Sequence, residues 1–180
     1  MKQSRIAGLV AALTLVMMLG APALAVADGG TFKARLQGFQ EVPAISTEAS
    51  GEFRAKLSED ETSIEYELSY ENLTGTVSQG HIHLGQRSVN GGITVWLCQT
   101  TTNVDPTGLA PTCPQSGTVT GTFTAANVIG ITAQGIAAGE FAELVEAIRA
   151  GVTYANVHSL PQFGGGEIRG QIRKVKGDRD

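Results

Sequence analysis

Period-two alternation of apolar and polar residues runs through most of this chain and predicts an all-β domain. The expected architecture is an antiparallel Greek-key sandwich or barrel of about eight short strands with one amphipathic helix. Three observations carry that expectation: the alternation recurs in separate short segments, glycine-rich turns divide them, and a single stretch switches to a helical period. Thr31 to Phe39 is an early, less regular strand. Phe53, Ala55 and Leu57 alternate with Arg54 and Lys56, and Ile64, Tyr66, Leu68 and Tyr70 alternate with Glu65, Glu67 and Ser69. The charged turn Ser58–Thr62 between them makes a hairpin that is polar on one face. Val77 to Leu84 is a further strand. Asn90-Gly91 is a hairpin-turn signal before Ile93, Val95 and Leu97. Val119, Gly121 and Phe123 alternate with threonines. From Ala137 to Ala150 the period changes: Phe141, Leu144, Val145 and Ile148 fall at i, i+3, i+4 and i+7, opposite Glu140, Glu143 and Glu146. This is a helix with one buried face, closed by Gly151. Thr153 to His158 and the segment of Ile168, Gly170 and Ile172 complete the set.

The 180 residues suit one domain. Lys2 and Arg5 precede the uncharged apolar run Ile6–Leu19, followed by the small-x-small patterns Ala23-Leu24-Ala25 and Ala25-Val26-Ala27. That is the three-part pattern of a secretory signal peptide over residues 1–27. The run is shorter than the roughly 20 residues of a membrane span, and Pro22 ends it. The expected organisation is therefore a signal over 1–27, a β domain over 28–173 and a charged tail over 174–180, giving a secreted or periplasmic protein with no membrane attachment once the signal is removed. Without Lys2 and Arg5 the domain carries 11 basic against 17 acidic side chains, a poor partner for nucleic acid. All three methionines, Met1, Met17 and Met18, fall in the signal, which excludes a methionine-rich cuprous site.

Cys98 and Cys113 are the only cysteines. In an oxidising compartment their default is a disulfide, closing a loop of about 15 residues and contributing roughly 3 kcal/mol. Trp96, on the same strand, is expected to cap the barrel or cover the bridge. The histidines are His81, His83 and His158. On a strand, residues i and i+2 share a face, so His81 and His83 project together while Ile82 and Leu84 face the core. A third imidazole from a neighbouring strand gives a His₃ set suited to copper or zinc. That requires His158 on an adjacent strand with the same face turned, at a surface or a barrel mouth. The competing expectation is three hydrogen-bonded structural histidines beside glycine turns. No nucleophile elbow, P-loop or dinucleotide fingerprint is present.

Leu36-Gln37-Gly38-Phe39-Gln40-Glu41-Val42-Pro43, Gly80-His81-Ile82-His83-Leu84-Gly85 and Asn90-Gly91-Gly92 occur in that order. Gly151-Val152-Thr153-Tyr154-Ala155-Asn156-Val157-His158-Ser159 and Gly166-Glu167-Ile168-Arg169-Gly170-Gln171-Ile172 follow. Taken together these segments resemble the CHRD domain, the repeat first defined in chordin, over about Thr31 to Arg173. The resemblance implies an extracellular all-β domain, found alone in secreted microbial proteins and as repeats in chordin, and no settled activity. It marks Glu41, Pro43, Asn156, Glu167 and Arg169 as structural motif residues, with Glu41 and Glu167 expected to pair with Arg169. The Cys98–Cys113 loop reads as a peripheral insertion. The His-x-His strand is also similar to that of copper/zinc superoxide dismutase, but that enzyme needs six histidines and an aspartate, so one mononuclear site is the most that three histidines allow. The expected function is a non-enzymatic binding or structural module for an extracellular protein or ligand. The rival is a mononuclear copper or zinc protein, either a carrier or a simple metalloenzyme.

Overall fold

Each alternating segment forms a strand. The computed structural model describes residues 29–176; the expected signal and residues 177–180 lie outside the described residues. The strands are β1 (Thr31–Gln37), β2 (Ser50–Leu57), β3 (Ser63–Glu71), β4 (Thr76–Leu84), β5 (Gly92–Cys98), β6 (Gly117–Thr124), β7 (Thr153–Leu160), β8 (Phe163–Gln171) and the two-residue β9 (Arg173–Lys174). They form one antiparallel sheet in the order β5-β4-β7-β8-β1-β2-β3-β6, with β9 beside β1. The sheet curls until β5 and β6 approach without sharing a ladder, a nearly closed barrel. Near that seam the Tyr66 hydroxyl donates to the Leu97 carbonyl at 2.6 Å.

Inward-facing positions follow the alternation. Phe53 lies opposite Ala34 on one side and Leu68 on the other, and all three are buried. Outward positions on β1, β2, β3 and β6 meet solvent as mixed rows, such as Lys33, Arg54, Glu67 and Thr120. On β4, β7 and β8 the outer face is buried too; every residue from Thr153 to Ser159 is buried. The loops after β1, β4 and in the β7–β8 turn lie over this face, which places polar side chains in a second, covered layer.

The helix α1 (Phe141–Arg149) buries Phe141, Leu144, Val145 and Ile148, as the period requires. It starts later than expected, because Gly139 turns at φ +83° and Glu140 accepts from the Ala137 amide at 2.6 Å. Gly151, at φ +69°, ends it. Asn90-Gly91 is not a two-residue hairpin turn. Residues 85–91 form a longer loop wrapped around a guanidinium, with Arg169 donating to the Gln86 and Val89 carbonyls at 3.1 and 2.9 Å and to Asn90 Oδ1 at 3.2 Å. Gly91 is required by space rather than by turn type, since a Cβ there would sit 1.6 Å from the Leu84 carbonyl oxygen. The first strand stops at Gln37, where Gly38 passes close to the Ile45 carbonyl.

Lys174, at the start of the expected charged tail, is still part of the sheet: it pairs with Phe32, and the Val175 amide donates to the Thr31 carbonyl. The Cys98–Cys113 disulfide forms, but both cysteines belong to the buried core, so the bridge is not peripheral. Among the described residues no helix is long and apolar enough to cross a membrane.

Candidate metal centre

β4 and β7 run side by side, pairing His81 with Asn156, His83 with Tyr154 and Gln79 with His158. That register, with its bulge near Val77–Gln79, turns all three histidines to the covered outer face while Ile82 enters the core and Leu84 packs against it. His158 therefore meets the condition set by the strand phase. The ring centroids of His81 and His158 are 5.0 Å apart, those of His81 and His83 5.4 Å, and those of His83 and His158 6.3 Å. One nitrogen from each ring lies within 4.8 Å of the other two.

Hydrogen bonds fix the tautomers. His83 Nδ1 lies 3.0 Å from the Gly91 carbonyl and His158 Nδ1 3.0 Å from the Gly164 carbonyl. A carbonyl only accepts, so both Nδ1 atoms carry the proton and both Nε2 atoms keep a lone pair. His158 Nε2 faces His81 Nδ1 at 3.2 Å. Metal-free, His81 donates there and its own Nε2 becomes a bare acceptor. The Nε2 atoms of His81 and His83 are both buried without a partner, an arrangement that costs free energy unless something takes the lone pairs.

Burial is deeper than the surface or barrel-mouth position expected: His81 is 0%, His158 5% and His83 8% exposed. The cost foreseen for dry imidazoles is offset in part by the two carbonyl partners. Burial, followed by the neighbouring imidazoles, lowers His81 to about 2. Burial lowers His83 to about 4 against the Gly91 bond, with Arg169 adding to the depression, and burial lowers His158. All three are neutral at pH 7, the form a metal requires.

These residues fit an ion. Nitrogens about 2.0–2.1 Å from a shared metal stand roughly 3.3–3.6 Å apart, so the 3.2 Å pair is close to that span and a pair at the 4.8 Å limit closes by at most about 1.5 Å. Two of the rings carry the outer carbonyl partner that orients metal-bound imidazoles.

Around the centre the structure departs from the expected ion pairs. Arg169, 2% exposed, pairs with neither carboxylate; its guanidinium carbon sits 3.4 Å over the Tyr154 ring. Tyr154 in turn stacks on His83 at 4.7 Å and 3°. Glu41 accepts from Asn156. Glu167 accepts from Thr47 and Thr74 at 2.7 Å each and from Ser159. Pro43 borders a small cleft above the Gly165–Gly166 turn. Trp96 packs edge-on against His81 at 4.3 Å and does not cover the disulfide, because β5 carries a bulge that separates its phase from that of Cys98. Sequence reasoning missed Tyr154 and Trp96 as walls of the centre. The available signal was that Tyr154, Asn156 and His158 share one face at spacing two.

Neither a curated protein nor a solved structure matches the chain. The family model of the CHRD domain matches residues 32–172, which spans β1 to the end of β8 and includes the three histidines, Glu41, Asn156, Glu167 and Arg169. This chain belongs to the CHRD domain family.

Proposed function

We propose that this chain is an exported, non-enzymatic binding module whose ligand is a single metal ion, copper or zinc, held by His81, His83 and His158. The observation that carries the reading is the convergence of three buried imidazoles, one nitrogen of each within 4.8 Å of the others, with the Nε2 lone pairs of His83 and His158 fixed by carbonyl bonds at Nδ1 and that of His83 left without a partner. The depth of the rings suits retention of an ion rather than turnover of a substrate, since a catalytic metal keeps an open position. Export is supported by the disulfide and by the signal pattern of residues 1–27. Protein purified without an affinity tag, incubated with copper or zinc and desalted, should retain about one ion per chain by elemental analysis. His83→Gln and His158→Gln should each lower retention at least tenfold while leaving the β circular-dichroism signal unchanged. Only trace metal in the wild-type protein overturns the reading. A second reading, docking to an extracellular protein, is favoured by Phe39, 76% exposed in the turn after β1; Phe39→Ser would weaken such docking and leave metal content unchanged.

A further inference from the structure

Resting on the reading that the three histidines hold a metal, we infer that the centre selects monovalent copper, Cu(I), over divalent zinc or copper. The ligand set is three neutral imidazoles, and the His81, His83 and His158 group contains no carboxylate or thiolate. The nearby carboxylates are committed elsewhere: Glu41 to Asn156, and Glu167 to Thr47, Thr74 and Ser159. The ion's charge is therefore not neutralised by its ligands. The cost of burying a charge rises as its square, so a divalent ion meets about four times the desolvation cost of a monovalent one.

A fixed cation increases the difference. Arg169 lies on the far side of Tyr154, and Tyr154 lies flat on His83. This guanidinium–phenol–imidazole stack sets a buried positive charge behind one ligand, and its repulsion is twice as large for a divalent ion.

Coordination points the same way. Zinc takes a fourth ligand, usually water when the protein supplies three, and these rings are sealed at 0–8% exposure. Cu(I) is content with two or three nitrogens. Trp96 against His81 and Tyr154 against His83 give the ion apolar walls, and a dry shell favours the lower-charged oxidation state. Imidazole by itself accepts zinc and copper alike, so the surroundings decide.

The test is anaerobic competition. Untagged protein is titrated with Cu(I) buffered by bicinchoninate, and separately with Zn(II) buffered by a chromophoric chelator; each retained ion is then challenged with the other. The expected result is one Cu(I) per chain, at least 100-fold preferred over zinc, and a complex that stays silent in electron paramagnetic resonance on brief exposure to air. Equal or tighter zinc binding, or immediate conversion to a stable Cu(II) signal, overturns the selection while leaving the His₃ site intact. Binding of neither ion overturns the proposed function as well. Arg169→Gln should move the preference at least tenfold toward zinc. A folded Arg169→Gln protein with unchanged preference removes the role given to the stack. The wild-type competition decides the proposal without the variant.

Discussion

Glu41 is 7% exposed, between Asn156 and the field of Arg169. Burial raises its carboxyl to about 7, against the opposing pull of Arg169, the Val42 backbone and Asn156. Between roughly 4.5, the unfolded value, and 7 the native state holds a proton that the unfolded chain has released, so this group's contribution to stability falls as pH rises through that window. Glu41→Gln fixes the protonated shape. It should match the wild type near pH 4 and exceed it above pH 7 by roughly 3 kcal/mol, measured by urea unfolding of metal-free protein. A pH-independent difference would show that the carboxyl is not raised. The shared face of His81 and His83 was legible in the sequence, because strand phase follows from spacing alone. The partner of Arg169 was not: a guanidinium can donate to a carbonyl or a carboxylate or lie over a ring face, and only tertiary placement chose Tyr154 over Glu41 and Glu167.

The helix α1 is held to the barrel by two contacts of unequal weight, one to β6 and one to the β2–β3 turn. Phe141 is buried, 6.1 Å from Phe123 between ring centroids, while Arg149 reaches Glu61 at 2.5 Å with both side chains about a third exposed. Phe141→Asp should cost about 3–5 kcal/mol, because it removes a core ring and buries a charge. Arg149→Ala should cost less than about 1 kcal/mol. Denaturant midpoints of the two variants check the ranking, and a small loss for Phe141→Asp would mean the helix is not docked. The helix's buried face was legible because four apolar residues repeat at helical spacing. Its start was not, since the Gly139 turn and the Glu140–Ala137 bond compete locally with a further helical turn. The same holds for residues 85–91, whose length is set by the guanidinium they enclose and not by the Asn-Gly pair.

Across the whole molecule, the alternating segments specified strands but not their neighbours. The steps from β3 to β4 and from β6 to β7 cross the sheet, and no local pattern encodes such pairings. Alternation also implied a wetted outer face on β4, β7 and β8; the covering loops that bury it carry no periodic signal. The disulfide was legible from compartment and count, but its depth was not. With Cys98 and Cys113 in the core, reduction should release about 3 kcal/mol of stability while the far-ultraviolet β signal persists, and denatured, non-reduced protein should show no free thiol. Two free thiols, or loss of the β signal on reduction alone, would contradict that. Finally, the antiparallel contact of β1 with β9 sets Thr31 and Val175 at the same end of one ladder, their backbones joined at 2.8 Å. A force drawing the two ends of the domain apart therefore acts across the ladder rather than along it. The Phe32–Lys174 and Lys33–Arg173 rungs give one at a time, as a zip opens, so β9 peels under low tension before any load reaches β7 and β8.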